Sequence, residues 1–209
     1  MFDGTVTLCV GPDGKRMEIH KNLLASISPE LNKHVNNDMK EGIEGIIHLA
    51  EEGEETLTLF SEWAYTGEYT IVDNTAVVEA FDPDTSRYTQ VKADPWPSLL
   101  MHLRLYVFSD KFNIPALNLL SKSGFSGEIS SIHLTLAGDA AGLTSVIEYA
   151  YDNLPVSDPV PKFLARFASW GLESLAVSDE FIQLTSTHPD FVRRLFENLQ
   201  GPRYKPALS

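Results

Sequence analysis

Apolar and polar residues alternate along Val6-Thr7-Leu8-Cys9-Val10 and again from Met17 to His20, the period-2 pattern of strands with one buried face. Gly11-Pro12-Asp13-Gly14 between them has turn composition, so the two strands are predicted to form a hairpin. At Lys21 the period changes. Leu23, Leu24 and Ile27 fall at helical spacing, and a short helix is expected with almost no loop before it. Ser28-Pro29-Glu30 then restarts the chain: serine caps a helix well, proline suits the first helical position, and glutamate favours the positive end of the dipole. Leu31 and Val35 carry the apolar face of this second helix. Ile46, Ile47 and Leu49 predict a third strand. Residues 56–65 predict an amphipathic helix with Leu57, Phe60 and Ala64 on one stripe, ended by Gly67.

Between residues 72 and 97 the periodicity fades, and Asp82-Pro83-Asp84, Asp94-Pro95 and Pro97 punctuate the chain. This segment is predicted to be an inserted loop, read either as weakly ordered with partial packing or as a loop that contacts a partner. Ser98 is the expected cap of the next helix, whose Leu99, Leu100, Leu103, Val107 and Phe108 form a broad apolar face. Ile114-Pro115 should break it, with a short helix over 116–121. Beyond Gly124 only helices are predicted. Leu143, Val146, Ile147 and Ala150 mark one; Phe163, Leu164, Phe167, Ala168 and Leu172 mark another after a proline-rich break at 155–161. Phe181, Ile182 and Leu184 mark a third, and Pro189 opens a fourth through Phe191, Val192, Leu195, Phe196 and Leu199. Residues 201–209 are expected to fray. The predicted class is α+β: a small three-stranded sheet with surrounding helices over 1–124, followed by an all-α extension over 125–209.

Composition narrows the chemistry. The 209 residues are 43% hydrophobic and 22% charged, enough to build a core. Sixteen Lys and Arg against 29 Asp and Glu give a net charge of −13, which repels phosphate backbones and argues against nucleic-acid binding. The lone Cys9 reads as a small buried hydrophobe and permits no internal disulfide, as suits a reducing intracellular compartment, cytoplasm or nucleus. No stretch has the ~18 apolar residues of a membrane span, and the N-terminus has no leader pattern, so no membrane association is expected.

Six histidines lack the spacing of a metal site, so neither metal nor cofactor is expected. His20, at an element junction, reads as a hydrogen-bonding bridge. Gly11–Lys15 is too short for a phosphate loop, and no Ser or Thr follows its lysine. Ser123-Gly124-Phe125-Ser126-Gly127 lacks one residue of a nucleophile elbow and reads as a flexible turn between domains. Glu51-Glu52-Gly53-Glu54-Glu55 reads as a solvated turn that brings negative charge to a helix N-terminus. Nothing assembles a nucleophile, a base and an oxyanion site, so the expected function is not enzymatic.

The string His20-Lys21-x-x-Leu24-Ala25-Ser26-x-Ser28-Pro29 resembles the hallmark of the BTB/POZ domain, a protein-interaction fold. Val6–Val10 resembles that family's first strand, and residues 41–49 its third strand and the approach to it. Trp63-Ala64-Tyr65-Thr66-Gly67 is similar to its Tyr-Thr-Gly signature, and residues 105–117 to its late Asp-Lys-Phe-x-Ile helix. The resemblance spans residues 3–122; the acidic character and extra C-terminal helices are most similar to fungal members. It implies an interaction module and a substrate adaptor for a cullin-type ubiquitin ligase. The other reading is a structural or regulatory oligomerisation scaffold.

Met39-Lys40-Glu41 stands where cullin-recruiting members carry a hydrophobic-x-Glu motif. The resemblance thus makes Met39, Glu41 and the signature Tyr65 the partner-binding candidates, with a cullin N-terminal domain as the partner. Methionine would supply a flexible apolar anchor and the carboxylate a contact for a basic surface. Thr5 stands where BTB zinc-finger transcription factors typically carry Asp, which weakens the charged corepressor pocket they use, and the chain starts almost directly at the first strand, without the N-terminal helix and strand that dimeric members exchange. Heteromeric assembly or weak self-association is therefore expected in place of a swapped dimer. A client would then meet the C-terminal helices or the 72–97 loop.

Overall fold

A computed structural model describes residues 4–36, 44–72, 76–82, 86–92, 94–132, 134, 138–199 and 205–208. By its internal contacts the chain divides into two compact units, one of residues 1–72 with 104–122 and one of residues 73–103 with 123–209.

The first unit opens with strands β1 (Thr5–Val10) and β2 (Lys15–His20), an antiparallel pair with Val6 opposite Ile19 and Leu8 opposite Met17. Gly11 and Gly14 turn the chain at φ +71° and +63°, where a side chain would be strained. Strand β3 (Ile46–Leu49) lies parallel to β1, giving the order β2-β1-β3. A parallel pair needs a crossover, and this one contains helices α1 (Lys21–Ile27) and α2 (Pro29–Val35). Helix α3 (Glu54–Thr66) ends at Gly67, in a left-handed conformation with its N–H on the Trp63 carbonyl at 2.8 Å. Helix α4 (Trp96–Lys111) and helix α5 (Pro115–Ser131) each contribute one segment to this unit; with the link between them they supply Leu105, Phe108, Phe112, Ile114 and Leu117 to its core. There they join Val6, Leu8, Val10, Ile19, Leu24, Leu31, Ile47, Leu57 and Phe60. Tilted rings pack through the middle, Phe60 on Phe108 at 4.8 Å and Phe108 on Phe112 at 4.6 Å. Each such side chain contributes roughly 1.5–3 kcal/mol by leaving water. Cys9 departs from expectation: strand alternation sends it to the face opposite Val6, Leu8 and Val10, where it is half-buried and outside the core.

In the second unit the expected loop over 72–97 contains an antiparallel hairpin, β4 (Val77–Asp82) and β5 (Arg87–Lys92). Val77 is 62% and Tyr88 73% exposed. Neither of these two residues supplies the buried apolar position that makes a strand legible. Helix α4 starts at Trp96, two residues before the expected serine cap, because the Asp94 carboxylate accepts the Trp96 N–H at 3.2 Å. Helix α5 runs unbroken to Ser131 through the stretch read as a flexible turn. Two glycines cost a helix about 1 kcal/mol each by propensity. Packing overrides that here, since a Cβ at Gly124 would overlap the His102 imidazole.

Helices α6 (Asp139–Asn153), α7 (Pro159–Trp170), α8 (Leu172–Leu175), α9 (Asp179–Thr187) and α10 (Pro189–Asn198) follow. Helix α7 begins inside the proline-rich run, because Asp158 accepts the Val160 N–H at 2.8 Å and Pro159 sits at the first turn. It packs on α6 and α10, and α9 packs on the same two helices. Phe191 receives the edge of Phe181 at 5.9 Å and of Tyr151 at 5.6 Å. The Tyr151 hydroxyl donates to the Pro161 carbonyl at 3.1 Å, and burial pushes its pKa up to about 12. The tail expected to fray is held at residues 205–208, where Lys205 donates to the Ser130 carbonyl and the Leu208 carbonyl accepts from Ser126. No helix among the described residues is long and apolar enough to cross a membrane.

Candidate functional site

The junctions of the first unit are built by a few polar side chains. Ser28 is fully buried; its hydroxyl accepts the Leu31 N–H at 3.0 Å and donates to the Phe112 carbonyl. One side chain therefore caps α2 and ties it to residue 112. His20 forms the expected bridge, but to α3 and not across its own helix start: its side chain caps nothing on α1. The Tyr65 hydroxyl accepts the His20 backbone N–H at 3.1 Å and lies 2.7 Å from His20 Nδ1, with the two rings edge to face at 5.7 Å. Tyr65 is still 53% exposed, so part of the residue stays open to solvent while its hydroxyl serves the fold. Tyr65→Phe is expected to lower stability by about 0.5–1.5 kcal/mol in thermal unfolding. An unchanged midpoint would show that the bridge contributes nothing.

The acidic run before α3 does more than the solvated turn expected of it. Lys111 pairs with Glu52 at 2.8 Å and Glu51 at 3.1 Å, Lys15 with Glu54, and Arg104 with Glu55 at 3.9 Å. Burial opposes the charge on Lys111, but the hydrogen bonds to Glu52 and Glu51 outweigh it and raise its pKa above 10.5. Glu54 and Glu55 still occupy the first turn, where they complement the dipole. Exposed pairs of this kind contribute only about 0–1 kcal/mol each, so they set orientation more than strength.

Of the three partner-binding candidates only Tyr65 is placed. Met39 and Glu41 lie outside the described residues. Among the described residues no group of three His, Cys, Asp or Glu side chains is placed to hold a metal ion.

Two polar assemblies of the second unit were not anticipated. Glu128, whose side chain is 8% exposed, accepts from Ser98 at 2.5 Å and from Lys92, and lies 3.5 Å from His102 Nε2. Burial pushes the His102 pKa below 6.5; Glu128 works against that fall and Lys92 adds to it. The cluster pins the end of β5 to α5, through residues too far apart in sequence to leave a pattern. The other assembly is a groove between α7 and α10, flanked by Lys162, Arg166 and Arg194. Its signal was available: two cations one helical turn apart on an otherwise apolar helix. No family model matches the chain, and no curated protein matches it.

Proposed function

We propose that this chain is a non-enzymatic protein-interaction module of the BTB/POZ type, acting in the cytoplasm or nucleus as a substrate adaptor for a cullin-type ubiquitin ligase. One observation carries the reading: stretches that resemble separate signatures of that family bond to one another in the first unit. The His20 hallmark joins the Tyr-Thr-Gly signature through Tyr65, and Ser28 joins the late helix at Phe112. Leu24 of the hallmark, Phe60 beside the signature and Phe108 of the late helix share one core. A parallel β1–β3 pair joined through two short helices supports the same reading. In this proposal Met39 and Glu41 meet the cullin N-terminal domain, with the exposed Tyr65 as a third contact.

The test is titration of the purified chain with a BTB-recruiting cullin N-terminal domain, beside a Met39→Ala/Glu41→Lys variant. Dissociation constants of about 1 μM or tighter for the wild type, weakened at least roughly tenfold in the variant, are expected. No binding at tens of micromolar would sink the adaptor role and leave an oligomerisation scaffold, whose stoichiometry sedimentation would give.

A further inference from the structure

Helix α7 is buried at every position from Val160 to Ser169 except two, Lys162 and Arg166. These two line an open groove of about 400 Å³, with Arg194 and Glu197 of α10 also on its lining and Phe163 and Leu208 as its apolar surface. Neither Lys162 nor Arg166 forms an ion pair or side-chain hydrogen bond among the described residues. Arg194 donates to the Val156 carbonyl at 2.9 Å, while its Nε is buried without a partner. Three cations against one carboxylate gather here in a chain of net charge −13, most of whose other described cations are matched by a carboxylate.

We infer that this groove binds a short acidic peptide in an extended conformation. Lys162 and Arg166 stand one turn apart, about 6 Å along the helix. Alternate side chains of an extended strand repeat at about 6.6–6.8 Å on one face, so acidic residues at i and i+2 match the two cations. Leu208, half-buried on the lining, provides contact for a neighbouring apolar side chain. A nucleic acid has the same sign of charge, but its long polyanionic backbone would extend past the groove over an acidic protein. The inference goes beyond the adaptor reading: it stands on the second unit alone and holds whether or not residues 39–41 engage a cullin.

Fluorescence anisotropy on the full chain tests it, with a labelled heptapeptide carrying glutamate at alternate positions and one leucine. Binding is expected to weaken as salt rises and to fall at least roughly tenfold in Lys162→Glu/Arg166→Glu, whose exposed substitutions should leave the melting midpoint unchanged. Should that variant melt early, Lys162→Ala/Arg166→Ala gives the same comparison with a smaller loss. The peptide with lysine in place of glutamate should not bind, and Met39→Ala/Glu41→Lys should bind the glutamate peptide as the wild type does. Equal binding by wild type and the charge-reversed variant would overturn the proposal, as would tighter binding of a dT oligonucleotide than of the peptide.

Discussion

Leu24→Ala is expected to lower the unfolding free energy by about 2–5 kcal/mol. Leu24 is fully buried on a helix of only seven residues, which is too short to hold itself together in water. That helix exists because Leu24 anchors it in a core shared with β1, β2, α3 and the 105–117 segment. Truncation would remove the side chain and leave a cavity whose walls belong to several elements, so collapse around it is restricted. Denaturant unfolding with an unchanged slope measures the loss. A change below about 0.5 kcal/mol would place Leu24 at the surface and remove the anchor from the proposed hallmark.

Gly142→Ala is expected to destabilise by about 1–3 kcal/mol, although alanine is the better helix former. A Cβ at residue 142 would overlap the Trp96 indole, a rigid ring with no flexible end to yield. The ring is also fixed by its Nε1–H, which donates to the buried Asp139 carboxylate at 3.2 Å. Relief would therefore cost either that hydrogen bond or the packing of the first turn of α4. The two effects have opposite signs, which makes the experiment decisive. A lower melting midpoint shows that overlap outweighs propensity, whereas a midpoint raised by the roughly 1 kcal/mol that alanine gains in a helix would mean the indole is free to move aside.

The same contrast runs through the molecule. Strands β1 to β3 and helices α1 to α3 were legible because each is announced by a local pattern: two-residue alternation with one buried face, helical spacing, a serine–proline start, a glycine stop. The C-terminal helices were legible for the same reason. The 77–92 hairpin was not, because apolar Val77 and Tyr88 are exposed and so do not mark a buried face, and aspartate and proline at 82–84 read as loop. The continuity of α5 was hidden because its glycines argue against helix, and only the close approach of His102 explains one of them. At the candidate site, Tyr65 was legible as a signature position, but its hydrogen bond to His20 was not.

By itself, then, the amino-acid order determined the α+β class, most element positions and the acidic character of the chain, since these follow from periodicity, capping chemistry and charge over a few neighbouring residues. The tertiary structure alone decided which cation meets each carboxylate of the 51–55 run, and that Arg194 joins Lys162 and Arg166 in one groove. Those depend on contacts between residues tens of positions apart, which close only when the core has brought their helices and strands together.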